Sequence, residues 1–404
     1  MSSPTAPASL RRASLDAVLA YAWDIGVFTA SEAMSAVGLT RSTTIAVLDE
    51  LAELGLLREL PNARAGGQYQ KGRPARRFEL RADAAVVVGI DAGRLHITTS
   101  VADLRGAELA RHHVELDEGR DAPDERRAAA ERAVDAALDA AARPREDVLA
   151  ICIGVPAPVD REGKSPPHRA GFWLRMNPDF AELFGAWVPI VRVENDASLA
   201  AVAEGSVGAA VGCRDYVTLL AGERLGAGVV VDGTLLRGAH GGVGEMVAFD
   251  HVIGVEGAWG LGYRAAQWAR EAAAAGELSP GSPLARLDPA ELDGRAVLLA
   301  ARAGDPDAQR IVDRVSAMLG VVAGMFGSLF DPRRVVVSGA ISEGAAEVVA
   351  AASVSLPGEL DLPAPELVAS QLGGDVVCIG AVAAALEVAR AGVLDLAQGL
   401  RPAV

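Results

Sequence analysis

Lysine is nearly missing from this chain: of 38 basic residues only two, Lys71 and Lys164, are lysines. That bias reflects genome base composition and carries no functional reading. Cysteine is scarce too. Cys152, Cys213 and Cys378 are widely spaced and odd in number, which excludes a disulfide framework and fits no zinc pattern. Reduced core thiols in a cytoplasmic protein are the expectation. No run of about 18 apolar residues occurs, and no charged-then-apolar leader opens the chain, so neither a membrane span nor a secretory signal is expected. Positive charge is in deficit, 38 basic against 53 acidic residues for a net charge of −15. With 404 residues, half of them hydrophobic, there is enough chain for a small domain and one large or two medium ones, each with a buried core.

What basic charge exists is placed unevenly. Residues 1–82 hold ten basic and eight acidic side chains, a sum of +2, which leaves −17 for residues 83–404. Between Arg58 and Arg81 seven basic residues face two acidic ones. Just before this basic stretch, residues 29–58 read as two short helices and a turn. Thr29 or Ser31 caps the first and Gly38 breaks the chain. Thr40-Arg41-Ser42-Thr43-Thr44 then opens a second helix whose Ile45, Leu48, Leu51 and Leu54 recur at helical spacing. Its first turn carries Arg41 and the hydroxyls of Ser42, Thr43 and Thr44, the chemistry that reaches phosphates and base edges. Residues 61–80 follow with paired glycines, Lys71-Gly72-Arg73-Pro74 and a strand-like Arg77-Phe78-Glu79-Leu80, a hairpin with a basic tip. Together these resemble a winged helix-turn-helix, which implies binding of double-stranded DNA through Arg41, Ser42, Thr43, Thr44, Lys71 and Arg73. The plainer alternative is a small helical domain for protein contacts with a solvated basic hairpin.

Beyond Ala82 strands and helices alternate. Val86 to Ile90 and Leu149 to Ile153 are buried strands; Leu95 to Ala102 and Glu108 to Val114 read as antiparallel partners. Strands near Ile190 to Val193, Tyr216 to Leu220, Gly228 to Val231 and Arg334 to Ser338 follow. Helices are expected over 124–142, 197–204, 258–275, 294–303, 307–329 and 380–391. The pattern suggests an α/β body of two lobes, 83–196 and 197–404, behind a DNA-binding domain at 1–82. Its architecture would be actin-like or sugar-kinase-like, of the ribonuclease H-like type. The long apolar helix at 307–329 is expected to serve a dimer interface.

Four strings give these lobes a family likeness. They are Gly154-Val155-Pro156-Ala157-Pro158-Val159-Asp160, Val193-Glu194-Asn195-Asp196-Ala197, the glycine-rich run from Gly233 to Glu245, and Asp331-Pro332 before a strand ending Ser338-Gly339-Ala340. In this order, over about residues 14–395, the chain resembles the ROK family of repressors, open reading frames and kinases. Kinases of that family hold ATP phosphates with an Asp-x-Gly-Gly-Thr turn and a Gly-Thr-Gly-Ile-Gly turn. Here the matching residues are Asp91-Ala92-Gly93-Arg94-Leu95 and Gly222-Glu223-Arg224-Leu225-Gly226. A long side chain hinders close backbone approach to a phosphate, and Glu223 sets a carboxylate against a polyanion. The family's zinc ligands are replaced by Ala248, Gly254, Glu256 and Leu261, so no metal and no cofactor are expected. Tyr263 falls where a sugar-binding Glu belongs.

Part of the sugar pocket persists. The resemblance places Asn195 and Asp196 at it, with Asp196 matching the kinases' general base, and adds Asn177 and Glu245 as polar contacts and Trp173 as a face for stacking. Asn195-Asp196 could equally be no more than the cap of the following helix. The resulting expectation is a DNA-binding regulator of carbohydrate-related genes, acting as a repressor, with a non-catalytic body that senses a sugar or derivative. It is expected to form a homodimer or dimer of dimers on an inverted-repeat operator and not to be an enzyme. The alternatives are an active ATP-dependent sugar kinase with a DNA-binding head and a regulator that answers to no small molecule.

Overall fold

In the computed structural model of the protein the described residues are 6–61, 75–117, 122–339, 342–356 and 363–396. The expected wing tip, with Lys71 and Arg73, lies outside them.

The N-terminal elements are α1 (Ala6–Asp24), β1 (Phe28–Thr29), α2 (Ala30–Val37), α3 (Arg41–Glu53), β2 (Leu57–Leu60) and β3 (Arg77–Leu80). Local chemistry sets their ends. Thr29 accepts the Glu32 N–H while the Glu32 carboxylate accepts the Thr29 N–H at 2.6 Å, a reciprocal cap that starts α2. Gly38 closes it at φ 68°, a backbone conformation that side chains resist. Thr40 then caps α3 by accepting the Thr43 N–H. The three strands form one antiparallel sheet in the order β1-β3-β2, and Leu48, Leu51, Phe28 and Phe78 are fully buried between helices and sheet. Helix α1 was not anticipated from sequence; its low-contrast, alanine-rich surface hides the stripe of Leu15, Val18, Leu19 and Ala22 that it buries. Thr44 is a correction. It is 1% exposed and donates its hydroxyl to the Thr40 carbonyl, so it packs the helix and cannot reach a ligand.

Two five-stranded sheets make up the rest. The first draws on β4 (Val86–Asp91), β5 (His96–Asp103), β6 (Glu108–Glu115), β7 (Val148–Val155) and β8 (Ile190–Asn195), with α4 (Pro123–Ala140), α5 (Phe172–Met176) and α6 (Phe180–Gly185) between them. After α7 (Asp196–Val207) the second takes β9 (Tyr216–Ala221), β10 (Leu225–Val231), β11 (Thr234–Leu235), β12 (Arg334–Ser338) and β13 (Glu366–Ala369). Its helices are α8 (Leu261–Ala275), α9 (Gly294–Arg302), α10 (Pro306–Phe330) and α11 (Ser342–Ser355), and the last helix, α12 (Val376–Leu396), returns to the first sheet. The strand orders are β6-β5-β4-β7-β8 and β11-β10-β9-β12-β13. Each sheet is thus an antiparallel meander of three strands extended by two parallel ones, the same topology used twice. The central strands are apolar runs such as Val148–Val155, buried on both faces, which is why they carry no alternation in sequence.

Helices α7 and α12 lie together between the sheets. Gly380 lets them touch: a Cβ there would stand 1.9 Å from the Leu199 carbonyl oxygen. Helices α10 and α12 are long and apolar enough by composition to cross a membrane, but both serve as core helices. For α10 this corrects the dimer-interface expectation. Its Ile311, Val312, Val315, Met318, Leu319 and Val322 are spent on the core of the second sheet within the chain.

The N-terminal elements dock on this body through specific polar contacts. Arg105, in the β5–β6 turn, donates to the carbonyls of Ala22, Trp23 and Ile25 at the open end of α1, and the Trp23 indole donates to the Leu104 carbonyl at 2.7 Å. Arg390 of α12 bonds Asp24 and lies over the Trp23 ring, while Asp395 pairs with Arg12. Hydrogen bonds from a charged donor contribute about 1.5–3 kcal/mol when well formed. Arg105→Ala is therefore expected to lower the stability of the head–body junction by about 1–3 kcal/mol and to split denaturant unfolding into an early head transition and a later body transition. A single unshifted transition would show that the junction does not depend on Arg105.

Candidate functional site

The doubled topology brings equivalent hairpins of the two sheets to the same cleft. The β4–β5 turn contributes Asp91 through Leu95, and the β9–β10 turn contributes Gly222 through Arg224. The first turn is held from behind. Arg126 of α4 is fully buried and donates to the carbonyls of Ala92, Gly93 and Arg94 at 2.9, 3.0 and 3.3 Å. A guanidinium with three carbonyl acceptors in one turn fixes that turn's backbone. Sequence reasoning passed over Arg126, although it was detectable: it shares the helical face of Ala130, Ala133 and Ala137, an apolar stripe.

Asp91 ends β4 nearly buried, with its carboxylate 3.0 Å from the His96 ring. That hydrogen bond raises the His96 pKa above its ordinary value, against the opposing pull of burial. The His96 ring in turn stacks on His113, which meets the Thr98 hydroxyl at 2.8 Å. His96 was not singled out in the sequence because it lies after the turn on a strand with no motif of its own.

Strand β8 and helix α7 meet at Asn195 and Asp196. Asn195 caps α7: its carbonyl oxygen accepts the Ser198 N–H at 3.0 Å, and its amide donates to the Ala157 carbonyl at 3.2 Å. Asn195 therefore joins the β7 exit loop to the helix. Asp196 takes the first helical position and accepts the Ala197 N–H at 2.7 Å. Burial drives its pKa up to about 7, with further pressure from the carboxylates of Asp91 and Glu245. The backbone N–H bonds work in the opposite direction and lose. Glu245 reaches the same cleft because Gly244, at φ 88°, lies where a Cβ would stand 1.8 Å from the Ala227 carbonyl oxygen of β10. Its pKa is also raised by desolvation, with Arg224 pulling it down. Asp91 and Glu245 thus both bear on Asp196, whose charged form is the costly one.

Asn177 stands apart from this group in its bonding. It is 5% exposed; its amide donates to the Gly163 carbonyl and the Ser165 hydroxyl, both at 3.0 Å, and its side-chain oxygen is buried without a protein partner. An unused acceptor of this kind can take a ligand hydroxyl. Trp173 rests against His168, ring centroids 4.6 Å apart. Tyr263 stacks on Trp259 at 4.5 Å, and Arg224 covers Trp259 at 4.7 Å.

A second polar knot ties the sheets beside the cleft. Glu194 of β8, 5% exposed, accepts from Arg192 of its own strand and from Arg237 of the second sheet's glycine-rich segment, at 2.8 and 2.9 Å. In the segment where the family places zinc ligands, residues 244–261 hold no thiolate, and a zinc site of the sulfur-rich kind does not fit them. A buried arginine does the stapling: Arg264 donates to the carbonyls of Val255 and Glu256, both at 2.6 Å. Those DNA-binding candidates that lie among the described residues are not brought to the cleft. Arg41 and Ser42 are exposed on the first turn of α3, and the Thr43 hydroxyl is 2.8 Å from that of Thr40.

Residues 87–388 match the family described as the ROK family. Glucokinase of Streptomyces coelicolor is 28% identical over 324 residues, covering 75% of this chain and 98% of that protein. The DNA-binding transcriptional dual regulator NagC of Escherichia coli is 25% identical over 313 residues, covering 76% of this chain and 75% of that one. Among solved structures, a ROK family transcriptional regulator, homolog of the E. coli MLC protein, superposes with a TM-score of 0.74 at 20% identity. It covers 96% of this chain and 99% of its own. These establish an α/β sugar-kinase-like fold with mixed sheets. They also overturn the expectation that the chain is not an enzyme. A glucokinase lies as near to it as a regulator does, and the altered turns do not by themselves remove a catalytic group.

The Asp196 pKa has a consequence for stability. A carboxyl whose folded pKa lies above its unfolded value of about 3.9 holds its proton better when folded. Stability then falls as pH rises from about 4 to about 7. Asp196→Asn, which keeps the shape without the charge, is expected to raise the melting temperature at about pH 8 and leave it unchanged near pH 4. An equal effect at both values, by calorimetry, would place the Asp196 pKa in the ordinary range.

Proposed function

The chain belongs to the ROK family, and from that premise we propose that it is a sequence-specific DNA-binding regulator of carbohydrate-related genes whose cleft takes a sugar or sugar derivative. The observation that carries this reading is the N-terminal head. Its α3 is capped by Thr40 and offers Arg41 and Ser42 to solvent at a helix N-terminus, in front of a small antiparallel sheet. We read this as a winged helix-turn-helix, with Lys71 and Arg73 supplying wing charge. The regulator structure covers 96% of this chain and the glucokinase 75%, a difference the size of the head. The negative body, −17 over residues 83–404, would be repelled by DNA and leave the head as the contact surface. A pair of heads on an inverted repeat is the expected arrangement.

In this reading the ligand lies among Asn177, Asn195, Asp196 and Glu245. Asn177 offers an unused acceptor and Asp196 and Glu245 offer carboxyls whose protons are held unusually well, a set able to both accept from and donate to vicinal hydroxyls.

A second reading, ATP-dependent phosphorylation of a sugar in the same cleft, is favoured by Asp196. A carboxyl with a pKa of about 7 is poised to take a proton from a hydroxyl near neutral pH. Sugar hydroxyl oxygen would attack the terminal phosphorus as Asp196 accepts its proton, and ADP would leave.

Selected operator duplexes decide the first reading. Arg41→Ala is expected to weaken operator binding by about 1–3 kcal/mol, with a shallower salt slope if the lost contact is to phosphate. Unaltered affinity and slope would remove the head from DNA recognition. Sugar-dependent ADP release that vanishes in Asp196→Asn would establish the second reading alongside or in place of the first.

A further inference from the structure

The two residues that depart most from the kinase turns are each other's partner. Arg94 of the β4–β5 turn and Glu223 of the β9–β10 turn meet across the cleft, guanidinium to carboxylate, at 3.0 Å. Neither turn is free to follow its side chain. The first is pinned by Arg126 through three of its carbonyls. In the second, Glu223 accepts the Gly260 N–H at 2.9 Å, and Arg224 both pairs with Trp259 through the backbone and covers its ring. An ion pair between two fixed turns therefore bridges the two sheets at the mouth of the cleft.

We propose that Arg94 and Glu223 form an autoinhibitory latch on the phosphate side of the cleft. The Glu223 carboxylate occupies the cation that an incoming polyanion would use, so a nucleoside polyphosphate must displace Glu223 before its phosphates can reach Arg94. This rests on the reading that the cleft takes ligands, and concerns its anion side, away from the sugar contacts at Asn177 and Asp196. The latch acts twice. It holds the sheets together in the empty protein, and it places a negative charge where the ligand's own negative charge must come. A pair exposed at 38% and 53% is weak, biasing the closed form by no more than about fivefold. The carboxylate's repulsion of a polyanion adds to that bias. Such a latch delays or grades nucleotide entry without forbidding it, which is compatible with either a regulator or a kinase.

The test is binding of Mg-AMPPNP to the full chain by calorimetry, with hydrogen exchange of both turns followed in the unliganded protein. Glu223→Gln removes plug and repulsion, and should tighten Mg-AMPPNP binding, by up to about fivefold from the lost pair and further from the lost repulsion. Arg94→Gln frees the carboxylate but leaves its charge, and should give no such gain. Either substitution should speed amide exchange in both turns, 91–95 and 222–226, by no more than about fivefold, because each turn keeps its own pinning bonds and loses only the contact between them. Since both side chains are solvent-exposed, the variants should fold as the parent does. Mg-AMPPNP bound no tighter by Glu223→Gln than by the parent, or exchange altered only in the substituted turn, overturns the latch. Neither readout involves operator DNA or sugar, so failure of the proposed function leaves this outcome legible.

Discussion

The close crossing of α7 and α12 is the contact on which the other arrangements depend. Gly380 lets α12 lie against the Leu199 backbone of α7. From there α12 covers β4 and β7 of the first sheet, while α7 packs on β9 and β10 of the second. The same α7 begins with Asn195 and Asp196 at the cleft, and the same α12 ends at Arg390 and Asp395 against the N-terminal head. A change in sheet separation must move this helix pair, and a tilt of α12 must be felt at Trp23 and Asp24. Coupling between cleft and head needs no further part, only a ligand that prefers one arrangement over another.

The cleft itself is an electrostatic compromise. Asp91 and Glu245 both press on Asp196, and the cleft sets His96 beside Asp91, a raised pKa at Asp196 and Arg224 near Glu245. At Asp196 and Glu245 this leaves carboxyls that can donate as well as accept. Across the two equivalent turns Arg94 and Glu223 neutralise each other. The carboxyls of Asp196 and Glu245 and the ion pair of Arg94 with Glu223 thus belong to separate parts of the cleft, the first at the start of α7 and after the glycine-rich segment, the second across the two equivalent turns.

Much of this was legible in the sequence because burial leaves simple marks. Continuous apolar runs such as Val148–Val155 gave the central strands, and Thr29, Gly38 and Thr40 gave the ends of α2 and α3. The strand-to-helix junction at Asn195-Asp196 was visible both as a pocket candidate and as a cap, and the structure gives Asn195 the cap's hydrogen bonds. Other features left weaker marks. Helix α1 buries a narrow stripe beneath an alanine-rich surface, and Thr44 looks like its hydroxyl neighbours until its turn inward is known. The apolar length of α10 suggested a partner surface because sequence does not say whether a chain's own core will claim it. Arg94 and Glu223 read as two separate losses in two motifs. Only the doubled sheet topology brings them together, and pairing over so long a stretch of sequence leaves no local signal.

The most direct measurement is the affinity of the full chain for a selected operator, by fluorescence anisotropy, with and without a saturating sugar that raises its melting temperature. Parent and Asp196→Ala are titrated side by side. The expected result is a shift in operator affinity of at least about fivefold in the parent, within the usual range of coupling free energies, and none in Asp196→Ala, whose affinity without sugar matches the parent's. A sugar that binds the parent and leaves operator affinity untouched would contradict a cleft coupled to the head.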